Sequence, residues 1–182
     1  MKTGKVFQEL SVNDGRKVVL RTPRWEDLDD LLELVNSLVD EAAEIYRDEK
    51  ASRDEEIDWR SGVLARLEEG KTFFLVAEVD GGVVASSDVN GQRAYEKHVG
   101  VVGIIVRRGF RDLGIGTAMM RVLLEQAQET GLKVLTLSAF ASNKRAIHVY
   151  ENVGFVQTGF IPRKHLKEGK YTDEVIMTKL LE

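Results

Sequence analysis

The spacing of apolar residues changes several times along the chain, and each change marks an element. RKVVLRT (16–22) is a short β-rich run. In PRWEDLDDLLELVNSLVDEAAEI (23–45), Leu28, Leu31, Leu32, Val35, Leu38 and Val39 recur at helical spacing. Asp and Glu crowd the start of that stretch, where a helix dipole favours anions. DEEIDWRSGVLARLEEGK (54–71) predicts a second helix closed by Gly70. The period then shortens. FFLVAEV (73–79) and VVASSDV (83–89), joined by Asp80-Gly81-Gly82, predict a β-hairpin. HVGVVGIIV (98–106) is another strand. It leads through the basic, glycine-bearing RRGFRDLGIG (107–116) into a helix reaching about Thr130. Ile115, Ala118, Met119, Val122, Leu123 and Ala127 form the buried side of that helix, and Gly131 stops it. KVLTLSAF (133–140) predicts a strand, and NKRAIHVYENV (143–153) a short helix with Asn143 as N-cap and Gly154 at its end. FVQTGFIP (155–162) and DEVIMTKLL (173–181) close the chain as strands. PRKHLKEGKY (162–171), with Arg163, Lys164, His165, Lys167 and Lys170, reads as a solvated loop between them. Its functional reading is an edge that selects an acidic or peptide substrate. The resulting order, β-α-α-β-β-β-α-β-α-β-β, lacks the strict βα alternation of a doubly wound fold.

Composition narrows the function classes. With 182 residues and no repeat or low-complexity linker, one domain spanning 1–182 is expected. A hydrophobic share of 43% against 31% charged describes a globular chain. The net charge of -4 offers no global basic field, so neither nucleic acid nor anionic membrane is an expected partner. The absence of cysteine excludes disulfides, thiolate nucleophiles and thiolate metal sites. The first residues lack the apolar core of a signal peptide, and VGVVGIIV (99–106) is too short to span a bilayer as a helix. A cytoplasmic location is the expectation.

RDLGIGTAMM (111–120) is the stretch that suggests chemistry. No Lys follows either glycine, so a Walker A loop fails. The third glycine of a dinucleotide fingerprint would fall on Met119, so that fails too. What remains is a strand, a short loop and a long helix beginning inside the motif. Such a helix end offers unpaired N–H groups and partial positive charge, and the glycines let an anion approach the backbone. Arg111 can add a charge-assisted contact. The alternative is a tight turn whose glycines serve chain geometry alone. Asn143, Ala146 and Tyr150 share one face of the following helix. Tyr150 is there either as a core residue or as a proton donor.

VGIIVRRGFRDLGIGTAMM (102–120) resembles the glycine-loop motif of the GCN5-related N-acetyltransferases, Arg/Gln-x-x-Gly-x-Gly/Ala after a β-strand. NKRAIHVYENVGF (143–155) is similar to the family's next motif, with Asn143, Ala146, Tyr150, Gly154 and Phe155 all in place. GKYTDEVIM (169–177) resembles the last strand of the ribosomal-protein N-acetyltransferase branch. The resemblance implies an α/β (α+β) fold: a mixed, mostly antiparallel sheet of six or seven strands with helices on both faces. Acetyl-CoA would be the co-substrate, with no metal. Its pyrophosphate would meet the backbone of Arg111, Asp112, Leu113, Gly114, Ile115, Gly116 and Thr117. Its pantetheine arm would lie along a strand bulge at Ile104, Ile105 and Val106 and against Asn143. Tyr150 would protonate the leaving thiolate, and the acetyl group would pass directly to an amine. Residues 73–180 would bind the cofactor and 16–72 would face the acceptor; a homodimer is expected by analogy.

The resemblance also has a gap. Relatives often carry a glutamate base where this chain has Val101. His98, Asp88, Glu41 and Glu44 are the other candidates for a base. A terminal α-amine, with a pKa of about 7.7 to 8.0, needs less help than an alkyl amine near 10.4. The other class of reading is a catalytically silent acyl-CoA sensor or scaffold.

Overall fold

The computed structural model describes residues 2–182. Strands β1 (Val6–Ser11) and β2 (Lys17–Arg21) precede a 3-10 turn at Trp25–Asp27, then α1 (Leu28–Asp40) and α2 (Arg53–Glu68). β3 (Thr72–Val79), β4 (Gly82–Gly91) and β5 (Val99–Val106) lead to α3 (Ile115–Glu129). β6 (Val134–Phe140), α4 (Lys144–Asn152), β7 (Val156–Lys167) and β8 (Lys170–Leu180) complete the chain. The strands form one eight-stranded sheet in the order β1-β2-β3-β4-β5-β6-β8-β7. All neighbours are antiparallel except β5 and β6. Among the described residues no helix is long and apolar enough to cross a membrane.

The local signals account for most elements. Asp80 and Gly81 take φ of 51° and 85°, as a tight hairpin turn requires, and β3 pairs with β4 across it. Ser52 caps α2 in a reciprocal box with Glu55. Asn143 caps α4 by accepting from the Ala146 N–H at 3.1 Å.

Three expectations need correction. β1 goes unpredicted, because four of its six residues are polar or lie exposed at the sheet edge and no apolar run marks it. α1 ends at Asp40 rather than near Ile45, and Leu34 joins Leu28, Leu31 and Leu38 on its buried face in place of Leu32, Val35 and Val39. Residues 162–171 are not a loop. β7 and β8 run through them and turn only at Glu168 and Gly169, which take φ of 49° and 74°.

The two faces of the sheet carry separate cores. Phe73, Leu75, Val89 and Val102 pack with Ile115, Met119 and Leu123 of α3 on one face. Phe74, Val76 and Val83 pack with Leu31, Leu34 and Leu38 of α1 and Val63 of α2 on the other. At the α1 end, Arg21 is 1% exposed. It binds both oxygens of Asp27 at 2.7 Å and donates through Nε to Glu78 at 2.7 Å. Burial pushes the Asp27 pKa up, but Arg21 and the Arg24 backbone N–H more than offset it, and the carboxyl lies below its usual range.

β5 and β6 pair only at Val99–Val134, Gly100–Leu135 and Val101–Thr136, then separate. Gly100 permits that close junction: a Cβ there would stand 2.7 Å from Val89 Cγ2 and 2.8 Å from Leu135 Cδ2. Beyond it the sheet opens.

Candidate active site

A continuous cleft of about 1580 Å³ follows this opening. Sites for one small ligand usually enclose about 300–1,000 Å³, so this one has room for a long cofactor and a second molecule. Its lining joins the end of β5, the loop into α3, the middle of β6, α4 and the segment after α1.

The glycine loop forms one end. Gly114, with φ of 87°, precedes the first turn of α3, and Ala118 N–H bonds back to its carbonyl. Among the described residues, none of the backbone N–H groups from Arg111 to Thr117 has a protein acceptor. They form a cradle of donors at a helix N-terminus. A Cβ on Gly116 would lie 3.7 Å from Ile104 and 3.8 Å from Val149, so this glycine sits where β5, α3 and α4 converge. Arg111 does not stand free: its guanidinium pairs with Glu41, and its Nε donates to the Val106 carbonyl at 2.9 Å. Asp112 takes φ of 64° and pairs with Arg145 at 2.9 Å.

The strand bulge is not there. β4 and β5 keep an unbroken register from Gly91–Gly100 to Ala85–Val106. The departure of β6, rather than a bulge, leaves the outer backbone edge of β5 at Ile104 and Val106 facing the gap, where the Val106 carbonyl accepts from Arg111 Nε. Ile104 and Val106 pack on the α3 side, and Ile105 packs on the α1 side.

Across the gap, Asn143 and Tyr150 of α4 line the same cleft. Tyr150 is 6% exposed, and burial pushes its phenol up to about 12. Among the described residues nothing hydrogen-bonds its hydroxyl. The phenol therefore keeps its proton at neutral pH.

The candidate bases separate clearly. His98 is exposed just before β5 and is not among the residues that line the cleft. Glu41 is paired with Arg111, and Glu44 accepts from Ser142 Oγ. Val101 faces the cleft, 42% exposed. Asp88 lines the cleft opposite Gly103, and burial pushes its carboxyl up to about 6.

The basic run also resolves. Lys167 Nζ donates to the carbonyls of Ala42 and Ala43, the latter at 2.8 Å, and so fixes the segment after α1. His165 turns inward and stacks on Phe140, ring centroids 4.0 Å apart. Its Nε2 lies 3.2 Å from Glu174 Oε2, the oxygen that also accepts from Tyr46 OH at 3.1 Å. Burial beside Glu174 pushes the Tyr46 phenol up. Arg163, Lys164 and Lys170 stay on the exposed surface. Sequence reasoning missed Tyr46 and Glu174, because β-pairing from distant segments brings them to His165 and no local pattern marks them.

Residues 31–155 match the Acetyltransferase (GNAT) family. An L-amino acid N-acyltransferase of Escherichia coli, MnaT, is 25% identical over 90% of this chain and 94% of its own. An L-amino acid N-acetyltransferase of the same organism, AaaT, is 33% identical over 58% of this chain and 67% of its own. Among solved structures, yncA of Salmonella typhimurium with its cofactor acetyl-CoA has a TM-score of 0.81 at 22% identity, covering 91% of this chain and 94% of that one. The ribosomal-protein-alanine N-acetyltransferase of Brucella melitensis has a TM-score of 0.79 at 26% identity, covering 89% of this chain and 99% of that one.

Proposed function

This chain belongs to the GNAT acetyltransferase family, and on that premise we propose that it transfers an acetyl group from acetyl-CoA directly to a primary α-amine. The carrying observation is the gap between β5 and β6, with unpaired amides of Arg111–Thr117 at one end and the Tyr150 hydroxyl beside it. In this reading, residues 73–180 bind the cofactor and residues 16–72 wall the acceptor side.

The residues present fit the cofactor. Donors at the start of α3 suit a pyrophosphate, and the outer backbone edge of β5 at Ile104 suits an amide-bearing arm. Asn143 Oδ1 caps its helix, which leaves the Nδ2 group to face the cleft. Acetyl-CoA bound there supplies an activated acyl carbon. In this reading glycines hold the loop open and Tyr150 gives its proton to the departing sulfur.

The α-amine follows from two supports. Three of the four proteins compared above are named for L-amino acids or for a ribosomal-protein alanine. Val101 in place of a glutamate also suits an amine of lower pKa. That same valine favours a second reading, a silent acyl-CoA sensor.

The test is an acetyl-CoA binding titration, then thiol release in the same samples against amino acids, short peptides with free N-termini and polyamines. Binding with turnover on α-amines is the expected result. Turnover on polyamines alone would replace the acceptor, binding without turnover would favour the sensor, and no binding would end both readings.

A further inference from the structure

The strand register places a carboxylate one strand away from the vacant base position. Asn90 on β4 lies opposite Val101 on β5, and Asp88 lies opposite Gly103. Side chains two apart on a strand share a face, so Asp88, Asn90, Val101 and Gly103 all look toward the α1 side of the sheet. Gly103 decides where the carboxylate goes. A Cβ at that glycine would stand 3.0 Å from Asp88 Oδ1 and 3.8 Å from its Cγ. The carboxylate therefore lies over the β5 backbone, in space that any other residue at 103 would fill, and it reaches toward the gap.

The group is also oriented. Asn90 Nδ2 donates to Asp88 Oδ2, and Thr72 Oγ1 lies 2.8 Å from Asn90 Oδ1. Oδ1 keeps no partner among the described residues and lies on the Gly103 side. Glu44, which also lines the cleft, and Glu41 at the end of α1 are both engaged.

We propose that Asp88 is the general base of the transfer, acting from β4 in place of a carboxylate at Val101. The proposal rests on the acetyltransferase reading above. In the step it describes, an ammonium group of the acceptor gives one proton to Asp88, which passes it to solvent through the cleft. The neutral nitrogen forms a C–N bond to the acetyl carbon. The C–S bond breaks with its electron pair on sulfur, and sulfur takes the Tyr150 proton. The second nitrogen proton returns to the tyrosine oxygen, leaving an amide, a thiol and one released proton. Burial raises Asp88 to about 6, with Asn90 and the charge of Arg66 on α2 pulling the other way. A base in that range is ionised at neutral pH yet still accepts a proton.

The experiment compares wild type with the isosteric Asp88→Asn on whichever amine the wild type turns over fastest. Expected are a fall in kcat/KM of about a hundredfold and loss of the acidic limb of its pH profile, with acetyl-CoA affinity changed less than about twofold. A variant that keeps the rate and the limb overturns the role of Asp88 alone. A wild type that binds acetyl-CoA but acetylates no amine overturns the transferase reading and this proposal with it.

Discussion

The Arg111 guanidinium pairs with the Glu41 carboxylate while its Nε holds the Val106 carbonyl, so one side chain ties the glycine loop to the end of α1 and the end of β5. Its side chain is 23% exposed and that of Glu41 12%, a pair intermediate between surface and core. Solvent screening limits its worth, and a coupling of about 1 kcal/mol is expected. A double-mutant cycle of Arg111→Ala and Glu41→Ala in urea unfolding measures it. Strictly additive losses would mean that the pair does not hold the loop.

Tyr150→Phe removes one oxygen from a buried ring and leaves its packing on Phe155. If the hydroxyl is the acid, kcat should fall by about a hundredfold while acetyl-CoA affinity stays within about twofold. Equal loss of both would assign the hydroxyl to binding, and no loss would remove it from the reaction.

The two glycines of the loop should fail differently. Gly114 holds φ of 87°, with nothing within 4 Å of an added Cβ. Gly114→Ala should therefore cost about 1–2 kcal/mol of stability from backbone strain alone. Gly116 has no positive φ, and its Cβ would make ordinary contacts, so Gly116→Ala should fold normally. Gly116→Val would crowd the start of α3 and weaken acetyl-CoA binding by tenfold or more, about 1.4 kcal/mol. Thermal melts beside binding titrations separate the two effects. A Gly116→Val protein with unchanged affinity would contradict the phosphate-cradle reading.

Asp27 predicts an acid limb of stability. Its pKa is lowered in the folded protein, so its contribution is full above the usual aspartate value of 3.8 and is lost as pH falls through the lower folded value. Asp27→Asn should flatten the decline in stability below about pH 4 and should destabilise the protein at neutral pH, where Arg21 would lose its partner. Melting temperature against pH for both proteins is the measurement.

Asp88 predicts the opposite sign. Its folded pKa of about 6 lies above the unfolded 3.8, so stability falls as pH rises between those values. Asp88→Asn should raise the melting temperature above about pH 6 and change it little below about pH 4. A variant no more stable than wild type at pH 7 would mean that the carboxylate is not held at a cost.

Much of the hairpin, the glycine loop and the α3 and α4 helices was legible in the chain, because their signals are local. The Asp80-Gly81 turn, the Asn143 cap and the apolar face of α3 each depend on neighbours within a turn or two. The cluster around His165 was less legible. Glu174 meets Tyr46 across 128 positions, and β8 pairing places it there, with no spacing rule to point to it. The basic run misled for a related reason. β7 has polar residues on both faces at the sheet edge, so its alternation carries no apolar signature, and the charges read as a loop. Nothing local in the sequence marks Gly100 or Gly103, but register gives them separate tasks: the first closes a junction and the second makes room for a carboxylate.

The three-residue pairing of β5 with β6 has a further consequence. β1 through β5 form one antiparallel ribbon in chain order, and β6 to β8 form another. Between them, besides those three pairs, the His98 carbonyl accepts from Lys133 and Val134, at 2.8 and 3.2 Å. The sheet is thus two slabs joined along a short seam, and amide hydrogen exchange should find that seam opening more readily than the interior of either slab. A molecule lying across it would act as mortar. Its arrival would register as slowed exchange on β5 and β6 together, with the outer strands unchanged.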